Sequence, residues 1–266
     1  MLGFTVGSSG QTSDITMTIN NLVFENFSGE DVYNVIYVGE NSTLNLNNST
    51  FKNNKELEWG VVNLNDGNFT GSNLLIEENS VEGQENGIFH NNSTQGEMKI
   101  QDSLFRNNSV NGSGGAIRTE LGTKLLVENT IFKENKSLGE SLLDGGGAIY
   151  AVKANSVVIK GSSFENNYAK SNGGAIYSIG DDDEDDPLGT TIIDSSFKDN
   201  TSANHGGAIL SKVDLLILLP TSKMLILQVI MTKTVRMLYI VMLMAMIIIS
   251  ISMQVRAKRL YLMNGN

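Results

Sequence analysis

Six consecutive acids, Asp181-Asp182-Asp183-Glu184-Asp185-Asp186, are the densest set of potential ligands in the chain. A hard cation such as calcium takes carboxylate oxygens of this kind, which makes Asp181, Asp182, Asp183, Asp185 and Asp186 the metal-ligand candidates. Their spacing argues against it. The run lacks an Asp-x-Asp-x-Asp-Gly alternation, it is an insertion bounded by Gly180, Pro187 and Gly189, and like charges in series form a solvated loop. Polysaccharide cleavage would need carboxylates, or carboxylates with Lys or Arg, converging on one exposed strand face. The residues that follow the chain's four equivalent strands are instead Arg118, Tyr150, Tyr177 and Leu210, and the two histidines, His90 and His205, sit at non-equivalent places. The absence of cysteine removes disulfides and Cys-based metal sites. The sequence therefore predicts no catalytic residue and no cofactor, with a carbohydrate-active lyase or hydrolase as the enzymatic alternative. Tyr150 and Tyr177 follow equivalent strands, so they either grip a glycan as an aromatic stripe or belong to a packed wall. Sequons at Asn26, Asn41, Asn47, Asn48, Asn68, Asn91, Asn92, Asn107, Asn111, Asn135 and Asn200 are acceptors only in a secretory pathway. Several coincide with Asn that a turn needs anyway.

These residues are positioned by a repeat. Gly-Gly-Ala-Ile occurs at Gly114–Ile117, Gly146–Ile149, Gly173–Ile176 and Gly206–Ile209, each after a Phe-x-x-Asn: Phe105 to Asn108, Phe132 to Asn135, Phe164 to Asn167 and Phe197 to Asn200, with Phe51 to Asn54 earlier. From Phe to the following Ala116, Ala175 or Ala208 is 11 residues; from Phe132 to Ala148 it is 16, through an insertion spanning Lys136 to Asp144. Apolar pairs precede the Phe by seven and five residues: Leu44 and Leu46, Met98 and Ile100, Leu125 and Val127, Val157 and Ile159. That is the period of a strand. Weaker copies, Gly60-Val61-Val62, Gly87-Ile88-Phe89 and Asn34-Val35-Ile36, extend the pattern towards the N-terminus.

Each unit thus contains a short strand on Gly-Gly-Ala-Ile, a variable loop, an alternating strand, a small-residue corner such as Gly161-Ser162-Ser163, an inward Phe and a turn Asn. One unit cannot close a core, whereas stacked units can, with Asn side chains bonding up and down the stack as ladders. The predicted fold is all-β, a right-handed parallel β-helix of the pectin-lyase-like solenoid kind with about seven coils. The repeat domain spans residues 1–213, with degenerate coils over 15–95 and clear repeats over 96–213.

The paired signatures resemble the repeats of chlamydial polymorphic outer membrane proteins and related β-helix repeats of protist surface proteins, over about residues 20–210. The resemblance implies a surface-displayed or secreted β-helical stalk used in adhesion, with glycans or cell-surface proteins as partners and an extracellular or cell-surface location. No basic, apolar leader is visible in Met1 to Gly10, nor is a β-barrel translocator, so the chain is expected to be a fragment of something larger.

Net charge is −10 overall, yet residues 1–213 carry 28 acids and 13 bases against one acid and six bases in 214–266. An acidic repeat body argues against nucleic acid as a partner. Eight of the 11 Met and one of the 27 Gly also fall after 213, which marks 214–266 as a separate, non-solenoid hydrophobic and basic tail. Its 19 uncharged residues, 237–255, have the length of a membrane span, so a membrane-anchored surface protein is one alternative, with the membrane as partner only if this tail is genuine. The leading expectation is a frame break near 213. Regrouping A/T-rich codons from Thr221 to Met253 regenerates Phe-Thr-Ser-Asn followed by Ala-Ile-Tyr. The recovered Phe spans Ile226 and Leu227 and the recovered Ala spans Met237 and Leu238, 11 residues on as in the ungapped repeats.

Overall fold

The computed structural model describes residues 3–8, 10, 12–29, 32–154, 156–180, 189–211 and 214–218, all within the unit Met1–Ile230. Every regular element among them is a strand, and every strand pairing is parallel. Successive circuits of the chain place equivalent strands on top of one another, giving four sheets of eight, eight, seven and five strands. The described residues form a parallel β-solenoid.

The first sheet stacks Phe4–Val6, Asn34–Val38, Gly60–Leu64, Phe89–Asn92, Ile117–Glu120, Ile149–Val152, Ile176–Ile179 and Ile209–Ser211. Gly-Gly-Ala forms the approach to this sheet, and the strand proper begins at the Ile. The first Gly of the motif turns the chain with a positive φ, 76° at Gly114, 66° at Gly146, 58° at Gly173 and 67° at Gly206, a region closed to most side chains. The second Gly is needed for a different reason. A Cβ on Gly115, Gly147 or Gly174 would collide with the carbonyl oxygen of Gly147, Gly174 or Gly207 in the next rung. The Ala then faces inward, with Ala116, Ala148 and Ala175 fully buried and Ala208 partly so. Both the Ala and the Ile amides of one rung donate to the Ala carbonyl of the next, as Ala116 and Ile117 do to Ala148 at 2.9 Å each.

The apolar pairs lie on the second sheet. Leu44, Phe69, Met98, Leu125, Val157 and Thr190 form one inward row, and Leu46, Gly71, Ile100, Val127, Ile159 and Ile192 the other. The period of two sends the residues between them outward. A corner with positive φ follows each strand, at Asn21, Asn48, Asn73, Asp102, Asn129, Gly161 and Asp194. Gly, Asn and Asp tolerate that conformation best. The corner hydroxyls also bond between rungs: Ser162 Oγ accepts from the Thr130 amide at 3.1 Å and donates to the carbonyl of Lys160 at 2.9 Å.

The third sheet has three-residue strands centred on the Phe. Phe105, Phe132, Phe164 and Phe197 stack face to face with ring centroids 5.1, 4.8 and 4.8 Å apart, and Phe24 stacks on Phe51 at 4.8 Å. Between Phe51 and Phe105 the same register position holds Ile76. Phe89 reaches across from the first sheet into the space left there, meeting Phe51, Phe69 and Phe105 edge-on at 5.8, 5.4 and 5.2 Å, a favourable quadrupolar geometry. A second positive-φ corner follows, at Asn26, Asn53, Glu78, Asn107, Glu134, Asn166 and Asp199, and leads into Phe27 in the first case and an Asn in the others.

The predicted boundary after residue 213 falls inside the last rung. Asp214–Leu218 adds a strand beside Gly189–Ile193 over five register positions, since the edge of a parallel sheet templates any extended segment that follows. The 237–255 segment, the recovered frame at 221–253 and the acidic run 181–186 lie outside the described residues. Among the described residues no helix is long and apolar enough to cross a membrane.

Candidate functional site

The Asn ladder runs through Asn54, Asn79, Asn108, Asn135, Asn167 and Asn200, each Nδ2 donating to the next Oδ1 at 2.8 to 3.0 Å. The same Nδ2 donates to the carbonyl of the residue at the Phe position one rung back, as Asn135 does to Phe105 at 3.0 Å. Each Oδ1 also accepts the backbone amide at the equivalent position one rung back, Phe27 for Asn54 at 3.0 Å and an Asn for the others, as Asn135 accepts from Asn108 at 3.3 Å. A primary amide in the middle of the stack therefore uses both donors and both acceptor sites. Phe51, Phe105, Phe132 and Phe164 and the ladder from Asn54 to Asn167 are fully buried, while Phe197 and Asn200 in the last rung are partly exposed. Asn79 belongs to the ladder but follows Ile76, so a Phe-x-x-Asn search passes over it.

Parts of the outward rows of the second and third sheets also bond from rung to rung. On the third sheet Glu25, Lys52, Glu77, Arg106, Lys133, Glu165 and Lys198 share one row. Glu77 lies between Lys52, at 3.3 Å, and Arg106, which binds it through two guanidinium nitrogens. Burial alone would raise the Glu77 pKa, but the bonds and charges of Arg106 and Lys52 outweigh it and hold the carboxyl below its ordinary range. On the second sheet Gln101 donates to Glu128 at 2.6 Å and Lys160 pairs with the same carboxylate at 3.3 Å.

The outer face of the first sheet differs. Its row is Tyr37, Asn63, His90, Arg118, Tyr150, Tyr177 and Leu210, and protruding segments flank it. Tyr150 and Tyr177 are no glycan-gripping stripe. Both are buried, with rings edge-on at 5.7 Å, and the inserted loop after Lys136 folds back over Tyr150, which donates its hydroxyl to the Leu143 carbonyl at 3.0 Å. Burial, the largest influence, pushes the Tyr150 phenol up to about 12. Arg118 lies over the Tyr150 ring at 4.9 Å and binds Glu120.

Clefts open on this face among the described residues. One, of 760 Å³, lies beneath the insertion between Gln84, Arg118, Glu140, Asp144, Tyr150 and Lys170. Another, of 380 Å³, is lined by Tyr37, Trp59, Asn63, Asn65, Glu85, Asn86, His90, Asn92 and Glu120. At its edge Trp59 and Tyr33 are 43 % and 42 % exposed, with rings 4.9 Å apart and tilted by 41°. Asn65 Nδ2 donates to the Tyr37 hydroxyl at 3.1 Å, and Asn63 Nδ2 to the Trp59 carbonyl at 3.3 Å. His90 is buried. Its Nε2 has no hydrogen-bond partner and stands 3.7 Å from Glu120 Oε1. Burial pulls the Glu120 pKa upwards, yet His90 and Arg118 together set it below the ordinary carboxylate value.

The sequence singled out His90 only to set it aside, and it did not single out Trp59, Tyr33, Asn63 or Glu120. The available signal was the lone Trp of the chain standing directly before a degenerate Gly-Val-Val. His205, at the other end of the stack, is exposed and bonds Asn172 through Nδ1 at 3.3 Å. The acidic run falls outside the described residues, and no group of three or more His, Asp or Glu suited to a metal occurs among those described. Of the sequon residues, Asn91 and Asn135 are fully buried.

Four stretches of the chain, 102–120, 129–152, 161–179 and 194–212, match the Chlamydia polymorphic membrane protein repeat. In those four stretches the chain is similar to that repeat. Each match runs from the corner before the Phe to the first-sheet strand after Gly-Gly-Ala-Ile, so what the matches share is the ladder-bearing part of the rung. The 380 Å³ cleft is built largely from rungs that precede them, with Glu120 at the border. No curated protein and no solved structure matches the chain.

Proposed function

We propose that this chain is a segment of a cell-surface or secreted solenoid that works by adhesion, holding a partner on its outer face without turnover. A solenoid with surface-protein repeats fits such a fragment, and the repeats' name as membrane proteins supports a location at the cell surface. One observation carries the reading. The inward Phe and Asn rows are taken up by rung-to-rung stacking and ladders, and part of the outward rows of two sheets by ion pairs between rungs, whereas the outer face of the first sheet holds clefts rimmed by exposed aromatic, amide and carboxylate groups.

A hydrolase needs one carboxyl group kept protonated as a general acid. Glu120, in the cleft, is held the other way by His90 and Arg118 and is an anion at neutral pH. The acidic body disfavours nucleic acid. Immobilised protein should bind cells or glycan-coated surfaces saturably and reversibly, and a polysaccharide incubated with it should keep its chain length. Shortening of the polymer, or the absence of saturable binding to any cell surface, would overturn the reading.

A further inference from the structure

We propose that the cleft between Trp59 and Glu120 is a binding site for a neutral pyranose, the terminal sugar of an uncharged glycan; the inference deepens the adhesive reading and rests on it. The apolar contribution comes from the Trp59 and Tyr33 rings. Large aromatics left open on a surface whose other big apolar side chains mostly turn inward offer a flat face to the C–H side of a sugar ring. The polar contribution comes from the cleft wall. Asn92 presents an amide that donates and accepts, as sugar hydroxyls require; Asn63 and Asn86, whose Nδ2 groups already donate to the Trp59 and Glu58 carbonyls at 3.3 and 3.1 Å, add chiefly acceptors, as do Glu85 and Glu120.

The floor supplies a separate sign of a ligand. His90 lines this cleft and is buried at 4 % exposure, and its Nε2, covered from solvent and 3.7 Å from Glu120 Oε1, makes no hydrogen bond. Buried polar atoms are nearly always satisfied, so a nitrogen left this way fits a hydroxyl that arrives with the ligand. At 380 Å³ the cleft is at the small end of the range for small-molecule sites, about 300–1,000 Å³, which suits a terminal unit better than a long polymer.

Charge selects among sugars. No Lys or Arg lines this cleft, while two carboxylates do, and Arg118 behind it is already engaged by Glu120 and the Tyr150 ring. Sialic acids, uronates and sulfated sugars would bring an anion to a site with no cation to receive it.

Trp59 is the one tryptophan in the chain, so its emission reports on this cleft directly. Titration with lactose, chitotriose and maltotriose should change Trp59 emission saturably for at least one of them and protect it from acrylamide quenching. Sialyllactose, a heparin fragment and spermidine should leave it unchanged. Trp59→Ala should weaken binding of the responsive sugar at least tenfold by calorimetry, His90→Gln by a smaller factor, and Lys198→Ala, on the third sheet, not at all. Circular dichroism melting checks that each variant is folded. A response to sialyllactose, heparin or spermidine with silence from the neutral sugars would overturn the assignment, as would an unresponsive Trp59. Cell binding measured on the same preparation separates the two readings: if Trp59→Ala protein still binds cells as the parent does, adhesion stands and the cleft assignment falls. If neither protein binds cells, the adhesive reading falls with it.

Discussion

Replacing Asn135 tests whether the buried amide ladder holds the rungs in register. Asn135 Nδ2 donates to Asn167 Oδ1 and to the Phe105 carbonyl, both at 3.0 Å, and its Oδ1 accepts the Asn108 amide at 3.3 Å and Asn108 Nδ2 at 2.9 Å. Asn135→Ala removes all four bonds. It strands two buried donors on Asn108, itself fully buried, at about 1–3 kcal/mol each, so a loss of about 2–6 kcal/mol is expected from urea unfolding. Asn135→Asp keeps the shape and both acceptor roles but sets a carboxylate oxygen against Asn167 Oδ1 and the Phe105 carbonyl. Burial then favours the protonated acid, whose O–H restores one donor. The folded variant therefore binds a proton more tightly than the unfolded chain, whose Asp titrates near about 3.9. Its deficit relative to the parent should shrink as pH falls from 7 towards about 4. A loss under about 0.5 kcal/mol for the Ala variant, or an Asp deficit that does not change with pH, would refute the ladder as a source of stability.

Phe164, stacked at 4.8 Å on both Phe132 and Phe197, should lose about 3–5 kcal/mol on replacement by Ala, read as a lowered urea midpoint. Gly147→Ala should destabilise by at least about 1–3 kcal/mol, because the added methyl meets the Gly174 carbonyl and the backbone of Tyr168; a neutral result would mean that the rungs are not packed as closely as described. Glu77 has a folded pKa below its unfolded one, so its contribution is present above about 4.3 and is lost as pH falls through the folded value. Glu77→Gln should accordingly flatten the fall in stability between pH 5 and pH 3 (roughly the carboxylate range), and an unchanged slope would show that Lys52 and Arg106 do not hold it.

The fold was legible because its constraints repeat. Phe, Asn and the two glycines of Gly-Gly-Ala-Ile meet the same neighbours one rung away, so each position selects the same residue type. Legibility fails where one rung solves the problem in another way. Ile76 fills the Phe position and Phe89 makes up the volume from a different sheet, which hides Asn79 from the pattern. The cleft was harder still. Tyr33 and Trp59 meet across two rungs, and the face of Tyr150 is closed by a loop whose path follows from tertiary packing, with Tyr150 bonding Leu143. Spacing alone made Tyr150 and Tyr177 look like an available stripe, whereas the exposed aromatics belong to degenerate rungs.

Parallel stacking in the stated register is the claim on which the ladders and the cleft both depend, and paired cysteines test it most directly in a chain that has none of its own. Lys133 and Glu165 are register partners on adjacent rungs of the third sheet, and Lys198 lies one rung further on. Adjacent parallel strands are about 4.8 Å apart, within reach of a disulfide, whereas two rungs exceed the Cα separation of about 7 Å that a disulfide can span. Mild oxidation should close Lys133→Cys with Glu165→Cys within one chain and leave Lys133→Cys with Lys198→Cys open. Efficient closure of the second pair and not the first would contradict the register and the solenoid built on it.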